Sequence, residues 1–255
     1  MNLHPVTLIG AGPGDPELMT LKAVRRLGEA QVVLVDDLVN PEVLAHCPQA
    51  RVIRVGKRGG CRSTPLEFIL RLMLRYARQG WRVARLKGGD PCIFGRGGEE
   101  ADWLALHGVP CEVLSGITAG LAAATAAGIP LTHRGVARGV TLVTAHTEDG
   151  SAPQWAALAQ SGTTLVVYMG VAKLDEVAGL LLAGGMAGDT AVAMIENASL
   201  PAQREIRSTL SGMCAEAAAQ RLRSPAILVI GEVAAGRKFG VAPLVAEPIR
   251  LAAQA

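Results

Sequence analysis

Residues 82–100 read RVARLKGGDPCIFGRGGEE, and this stretch decides the fold. Its first part, residues 82–86, is a short and mainly apolar run, which is typical of a strand. Residues 98–107 are predicted to form a helix, and the loop between strand and helix is rich in glycine. A strand that leads through a loop into a helix is the unit from which parallel sheets covered by helices are built.

The same alternation of strand and helix extends in both directions from this stretch. Further strands are predicted at residues 6–10, 31–35, 51–55, 111–114, 141–144, 163–169, 190–195, 205–209 and 226–231, and further helices at 17–28, 65–79, 153–160, 173–183 and 212–220. Residues 128–139 contain Pro130, Gly135 and Gly139, which is typical of a linker. We therefore predict an α/β protein with largely parallel or mixed sheets. Its parts are a domain at 1–127, a linker at 128–139, a second domain at 140–240 and a tail at 241–255.

The composition limits the kinds of partner that the chain can have. Hydrophobic residues make up 50% of the sequence, which is enough for a sizeable core. Aromatic residues make up only 3%, and the formal net charge is only +3. Binding of nucleic acids relies on aromatic platforms for the bases and on a basic surface for the phosphates. We therefore expect no nucleic-acid partner.

The cysteines and one uncharged segment indicate where in the cell the chain is expected to lie. The five cysteines are Cys47, Cys61, Cys92, Cys111 and Cys214. Their number is odd and no two form a Cys-x-x-Cys pair, so we expect neither a disulfide framework nor a metal site. A reducing, cytoplasmic location fits such cysteines. Residues 113–131 carry no charge but are interrupted by glycine and proline, so we expect buried backbone there and no membrane span.

The first glycine-rich loop, GAGPGDP at residues 10–16, follows the first predicted strand. Glycines let backbone N–H groups approach a ligand closely. The loop is similar to a dinucleotide-binding fingerprint, with Asp36 or Asp37 at a suitable distance to bind a ribose. Asp15 stands where the third glycine of that fingerprint belongs, and Pro13 removes a backbone donor. This loop by itself leaves NAD binding open.

Two further loops carry chemically useful side chains. In residues 82–100, Gly88 and Gly89 let the backbone approach a ligand closely, and Asp90 can accept hydrogen bonds from a ribose or an amine. The acidic pair that closes this stretch lies near a helix start, where carboxylates are favoured. In the third loop, Thr118 is either an N-cap residue or a ligand contact. His133 and Arg134 follow in the segment GIPLTHRG.

These loops together resemble one family. The stretches GAGPGDPELMTLKA, RLKGGDPCIFGRGGEE and GIPLTHR are similar to those of the tetrapyrrole (corrin/porphyrin) methyltransferases, in particular to members that methylate uroporphyrinogen III. The resemblance covers residues 6–240. It implies two α/β domains with the active site in the cleft between them, and a homodimer. It also implies that S-adenosylmethionine binds in a folded pose and leaves as S-adenosylhomocysteine, and that two successive methylations of uroporphyrinogen III give precorrin-2, in sirohaem and cobalamin biosynthesis.

The resemblance also implies roles for individual residues. The cofactor contacts would be Pro13, Gly88, Gly89, Asp90, Ile93, Thr118, Ala119, Met169 and the backbone near Ala198. Asp36 would accept a proton and Lys57 would donate one. Arg96, Glu99 and Arg134 would face the carboxylate-rich tetrapyrrole, because arginine pairs well with carboxylates. Asp37, beside Asp36, leaves open which of the two acids acts.

Four alternatives remain from the sequence. A sister methyltransferase would act on a later corrin precursor, and another branch of the family would methylate ribosomal RNA or a protein. An NAD-dependent oxidoreductase would use the first loop as a dinucleotide site. A tetrapyrrole carrier would bind the substrate without turning over a methyl donor.

Overall fold

The computed structural model describes residues 3–56, 64–146 and 151–236. The chain divides into two compact units, Met1–Ala119 (unit 1) and Gly120–Ala255 (unit 2). Each unit contains one five-stranded sheet with helices packed on it. The α/β class predicted from the alternation of apolar runs and amphipathic segments is confirmed. The partition into 1–127, 128–139, 140–240 and 241–255 stays a prediction.

Unit 1 is built on a fully parallel sheet. Its strands are β1 (Val6–Gly10), β2 (Val32–Val35), β3 (Arg51–Arg54), β4 (Val83–Lys87) and β5 (Cys111–Leu114). They lie in the order β3-β2-β4-β1-β5, and every neighbouring pair runs parallel. The helices of this unit are α1 (Leu21–Gly28), α2 (Leu66–Arg78) and α3 (Gly97–Leu106).

Both faces of the unit 1 sheet are covered. On one face, Ile9 and Leu86 pack with Leu27 of α1. On the other face, Leu8 packs with helix residues that include Met73 of α2 and Leu104 of α3, all fully buried. Strands buried on both sides are continuous apolar runs, which is why the sequence signals them so clearly.

Unit 2 has a mixed sheet. Its strands are β6 (Val140–Thr144), β7 (Thr164–Tyr168), β8 (Ala191–Glu196), β9 (Arg204–Thr209) and β10 (Ala226–Ile230), in the order β6-β7-β10-β8-β9. Only β6 and β7 pair in parallel. The helices are α4 (Ala119–Ala126), which begins at the last residue of unit 1, α5 (Trp155–Ala159), α6 (Leu174–Ala183) and α7 (Met213–Ala219). The core centres on Trp155, Leu165, Leu181 and Met194.

The predicted strands all occur, with bounds that differ by at most one residue, but one helical prediction was wrong and one helix was not predicted. The helix expected at 17–28 is split: Asp15 caps a 3-10 turn at Pro16–Leu18, and the Thr20 side chain accepts a hydrogen bond from Ala23 N and starts α1 afresh. The segment 113–131, expected to be buried backbone, contains the end of the predicted strand β5 and also helix α4, which was not predicted. Apart from Leu121, helix α4 is made of small residues with no amphipathic period, so periodicity gave no signal for it. Within the described residues, no helix is long and apolar enough to cross a membrane.

Candidate active site

The carboxyl edge of the unit 1 sheet gathers most of the predicted cofactor residues. Because β4, β1 and β5 are adjacent and parallel, the loops that follow them open at the same edge. Ligands of open α/β sheets bind at this edge. The predicted contacts in these three loops are Pro13 after β1, Gly88, Gly89, Asp90 and Ile93 after β4, and Thr118 and Ala119 after β5.

Glycines allow the backbones of these three loops to contact one another directly. Gly12 and Gly89 exchange two backbone hydrogen bonds, at 3.2 Å from Gly12 N to Gly89 O and at 2.7 Å from Gly89 N to Gly12 O. A Cβ on Gly10 would overlap the backbone of Gly116, and a Cβ on Gly116 would overlap the Gly89 carbonyl oxygen. The glycines of this edge therefore serve the packing of loop against loop, and they leave a surface of bare backbone.

Asp90 joins two of the loops through its carboxylate. Its Oδ1 accepts a hydrogen bond from Cys92 N at 2.7 Å, and its Oδ2 accepts one from Gly116 N at 3.2 Å. The side chain is buried. Asp90 therefore shapes its own loop and fixes it to the loop after β5, in addition to any contact with a ligand.

The first loop lacks the geometry of a dinucleotide fingerprint. In that fingerprint, the glycine loop leads directly into a helix whose N-terminus faces the pyrophosphate. Here a separate 3-10 turn at Pro16–Leu18 intervenes, and the Asp15 side chain caps it by accepting a hydrogen bond from Glu17 N at 2.9 Å. Helix α1 starts only at Leu21. The geometry disfavours the NAD-binding alternative.

Strained backbone conformations concentrate in the predicted site loops. Six non-glycine residues among those described have a positive φ, and five of them lie in these loops: Phe94, Arg96, Met169, Asn197 and Ser199. Such conformations are uncommon outside glycine and persist where the surroundings enforce them, often at ligand sites.

In unit 2, the two predicted cofactor residues lie at one edge of the sheet. Met169 follows β7 and Ala198 follows the end of β8. Since both strands run antiparallel to β10, which lies between them, their carboxyl ends are at the same edge. Met169 is exposed and Ala198 is buried. Arg134 is exposed in the loop before β6, beside a backbone bridge between His133 and Ala137.

The proposed proton acceptor, Asp36, is held by two cations. Its Oδ1 accepts a hydrogen bond from Arg85 Nη2 at 2.6 Å, and its Oδ2 lies 3.8 Å from Lys87 Nζ. The side chain is 30% exposed, so one part of the carboxylate faces solvent. Asp37 is exposed, and its carboxylate fills the space that a Cβ on Gly56 would need. The proposed proton donor, Lys57, lies outside the described residues.

Sequence reasoning missed the charged residues behind Asp36. Arg85, Lys87 and Glu100 are 2%, 4% and 1% exposed. Glu100 Oε1 accepts hydrogen bonds from Arg85 Nε at 3.2 Å and from Lys87 Nζ at 3.0 Å. The signal was present in the sequence, because Arg85 and Lys87 are two residues apart on a strand and therefore share one face. Charged side chains are rarely buried unless they are paired, so a partner carboxylate was to be expected.

Arg96 and Glu99 form an exposed pair at the start of α3. Arg96 Nη2 lies 2.7 Å from Glu99 Oε2, and Arg96 Nε lies 3.0 Å from Oε1. The hydrogen bond from Arg96 lowers the pKa of Glu99 below its ordinary value. An exposed pair of this kind contributes little stability.

Cys47, Cys92, Cys111 and Cys214 are free thiols, and Cys61 lies outside the described residues. Within the described part of the chain, no group of three or more histidine, cysteine, aspartate or glutamate side chains is arranged to hold a metal ion.

Comparison with known proteins identifies the family. Residues 5–214 match the tetrapyrrole (corrin/porphyrin) methylases, and the chain belongs to this family. A uroporphyrinogen-III C-methyltransferase of Pseudomonas aeruginosa is 67% identical over 248 residues, which are 97% of this chain and 98% of that protein.

Two solved structures are also similar. A uroporphyrin-III C-methyl transferase from Thermus thermophilus, complexed with S-adenosylhomocysteine, has a TM-score of 0.77 and 45% identity, covering 90% of this chain and 98% of the other. A cobalt precorrin-4 methyltransferase has a TM-score of 0.81 and 29% identity, covering 90% and 95%. The fold is thus shared between enzymes whose names specify different tetrapyrroles.

Proposed function

We propose that this chain catalyses the S-adenosylmethionine-dependent C-methylation of uroporphyrinogen III, in two successive transfers that give precorrin-2. The observation that carries the proposal is the 67% identity, over nearly the whole of both chains, to a uroporphyrinogen-III C-methyltransferase. The cobalt precorrin-4 methyltransferase is as similar to this chain in fold as the Thermus thermophilus enzyme is, but it is only 29% identical in sequence. The identity therefore favours uroporphyrinogen III over a later corrin precursor.

The carboxyl edge of the unit 1 sheet fits a cofactor of this kind. S-adenosylmethionine supplies an activated methyl group, so the protein has mainly to hold it and to align it with the acceptor. Gly89 has a φ of +67°, and a Cβ there would lie 3.7 Å from Ala119 N, so the backbone at this edge is close and bare. We assign cofactor contacts to Pro13, Gly88, Gly89, Asp90, Ile93, Thr118 and Ala119 in unit 1, and to Met169 and Ala198 in unit 2.

Asp36 is assigned as the proton acceptor. Methylation of a pyrrole carbon leaves a cationic ring that must lose a proton, and a fixed carboxylate can take it. The contacts with Arg85 and Lys87 fix the position of the Asp36 carboxylate while part of it stays open to solvent. Lys57 keeps its assignment as the proton donor, which rests on the family resemblance.

Arg96, Glu99 and Arg134 are assigned to substrate recognition. Uroporphyrinogen III is rich in carboxylates, and the guanidinium group pairs with a carboxylate through two parallel hydrogen bonds. Arg96 and Arg134 are exposed. Because the exchange of Glu99 for a substrate carboxylate costs little at an exposed site, Arg96 can turn to the substrate.

The choice of acceptor is tested by offering two tetrapyrroles. The protein is incubated without oxygen with S-adenosylmethionine and either uroporphyrinogen III or cobalt precorrin-4, and the release of S-adenosylhomocysteine is measured by chromatography. We expect release with uroporphyrinogen III only. Release with cobalt precorrin-4 only would make the chain a sister methyltransferase.

We also propose that the protein acts as a homodimer in the cytoplasm, as the family resemblance implies. Light scattering of the purified protein tests the first part, with twice the chain mass of 26.5 kDa as the expected result. A mass of one chain would contradict it.

A further inference from the structure

Four charged side chains form a closed network at the end of β4. Glu100 Oε1 accepts hydrogen bonds from Arg85 Nε and Lys87 Nζ on the buried side. The same two cations reach Asp36 on the side that faces solvent, at 2.6 Å from Arg85 Nη2 and 3.8 Å from Lys87 Nζ. Two cations are therefore shared between a buried carboxylate and a partly exposed one.

Burial of this network costs folding free energy, and two of its buried polar atoms lack hydrogen-bond partners within the described residues. Both facts argue against a purely structural role. Burying charged groups carries a large desolvation penalty, and apolar side chains of similar volume often serve stability as well or better. Arg85 Nη1 and Glu100 Oε2 are buried and have no hydrogen-bond partner within the described residues. Within the described residues, the side-chain hydrogen bonds and ion pairs of Arg85 and Lys87 run to Glu100 and Asp36.

We propose that Glu100 is a positioning residue for the proton-accepting step: it holds Arg85 and Lys87 in place and offsets part of their charge, so that Asp36 is fixed yet remains able to accept a proton. The proposal rests on the proposed function. With Glu100 ionised, the two cations face two carboxylates. Without it, Asp36 alone would face both cations, which would stabilise its ionised form and make it a weaker base.

The other titratable groups near the network do not take over this role. Burial lowers the pKa of Lys87, the charge of Arg85 lowers it further, and Glu100 and Asp36 oppose the shift. Cys111 on β5 faces Glu100, and burial together with that carboxylate raises its pKa to about 11, so the thiol is neutral. Glu99 on α3 is exposed and paired with Arg96. Asp37 is exposed.

The test is Glu100→Gln, which removes the charge and keeps the shape. We expect kcat for methylation of uroporphyrinogen III to fall by about tenfold or more, which is part of the contribution of about 10²–10⁴-fold that a general base makes. We also expect the acid limb of the kcat–pH profile to move to lower pH, because Asp36 would face Arg85 and Lys87 without the second carboxylate that offsets their charge. The dissociation constant for S-adenosylmethionine, measured by calorimetry, should stay unchanged. Asp102→Asn, which removes an exposed carboxylate from the same helix, should leave the profile where it is.

A double variant separates the charge effect from a loss of fold. Combining Glu100→Gln with Lys87→Met removes one anion and one cation, and such apolar replacement of buried ions is tolerated. We expect the acid limb to return toward its wild-type position. If Glu100→Gln leaves kcat and the acid limb unchanged, or if the double variant fails to restore the limb, the inference is wrong.

Failure of the proposed function is distinguishable from failure of the inference. Wild-type protein that methylates neither tetrapyrrole would contradict the function. In that case carbon NMR of the free protein can still follow the titration of the Asp36 carboxyl group, with the signal assigned by means of Asp36→Asn. The midpoint then tests whether Glu100 affects the protonation of Asp36. A lower midpoint in Glu100→Gln than in wild type supports the inference, and an equal midpoint overturns it.

Discussion

The Oδ2 atom of Asp90 accepts a hydrogen bond from the backbone N–H of Gly116 at 3.2 Å, and this contact fixes the loop after β4 to the loop after β5. The other carboxylate oxygen accepts a hydrogen bond from Cys92 N. One side chain thus sets the relative position of two loops that carry most of the proposed cofactor contacts of unit 1. Several expected outcomes depend on this edge of the sheet.

Replacement of Asp90 by alanine should abolish measurable binding of S-adenosylmethionine. The variant loses two hydrogen bonds to a charged acceptor, each of which contributes about 1.5–3 kcal/mol. Because these bonds fix the two loops that carry the proposed contacts, their loss should lower the affinity by about a hundredfold or more, below what calorimetry measures. Isothermal titration calorimetry tests this, and circular dichroism confirms that the variant is folded. Wild-type affinity in a folded variant would remove Asp90 from the cofactor site.

Replacement of Gly116 by alanine should destabilise unit 1. The added Cβ would overlap the Gly89 carbonyl oxygen and the backbone of Gly10, so the loops must move apart. Overpacking of this kind costs about 1–3 kcal/mol in free energy of unfolding, which urea denaturation measures. Gly98→Ala is the matched control, because its Cβ meets nothing within 4 Å and the residue lies in α3. The control should gain up to about 1 kcal/mol. Equal effects in both variants would refute the packing explanation.

Replacement of Glu196 by glutamine should give a pH-dependent loss of stability. Burial raises the pKa of Glu196, but hydrogen bonds from Arg204 and from the backbone N–H of Arg223 outweigh this and hold the pKa below its ordinary value. A carboxylate with a depressed pKa stabilises the fold above its ordinary pKa, and the gain is lost as the pH falls through the folded-state pKa. We expect a penalty of about 1 kcal/mol at pH 7 that shrinks in acid.

Urea denaturation at several pH values follows this penalty. The control is Glu176→Gln, which breaks an exposed pair with Lys173 and should change the free energy of unfolding by less than about 0.5 kcal/mol. A Glu196→Gln penalty that is the same at pH 7 and at acid pH would show that the depressed pKa does not contribute.

Replacement of Arg134 by alanine should weaken substrate binding and spare cofactor binding. Loss of one charge-assisted hydrogen-bonded pair with a substrate carboxylate should raise KM for uroporphyrinogen III by about tenfold or more. The calorimetric affinity for S-adenosylmethionine should stay within about twofold. Arg78→Ala, at the end of α2, removes an exposed arginine that has no proposed role and should change neither value. An unchanged KM in Arg134→Ala would exclude a substrate contact.

The sequence predicted the frame of both units and most of the site's surroundings, for identifiable reasons. Strands β1 and β2 are buried on both faces and are mainly apolar runs, which marks them as strands in the sequence. Strand β4 is also buried but carries Arg85 and Lys87, and the glycine-rich loop after it helped to mark its end. Helix α4 escaped prediction because it consists mainly of alanine, with Gly120, Leu121 and Thr125, and therefore has no polar face. The break at Thr20 escaped because two side-chain caps, and no change in apolar spacing, mark it.

Long-range side-chain relationships were hidden for a different reason. Arg85 and Glu100 are neighbours only because β4 and α3 pack together, and single-sequence patterns do not report such contacts. The proposed site residues were assigned from motif resemblance. Their placement in the loops after strands was predictable from the alternation of elements, whereas the ion pairs of Asp36 required coordinates.

The proposed function depends above all on the identity of the methylated molecule. It is tested by incubating the purified protein with S-adenosylmethionine and enzymatically made uroporphyrinogen III in the absence of oxygen, and by measuring the mass of the tetrapyrrole. We expect each molecule of product to gain the mass of two methyl groups. An unchanged mass, in a preparation that calorimetry shows to bind S-adenosylmethionine, would contradict it.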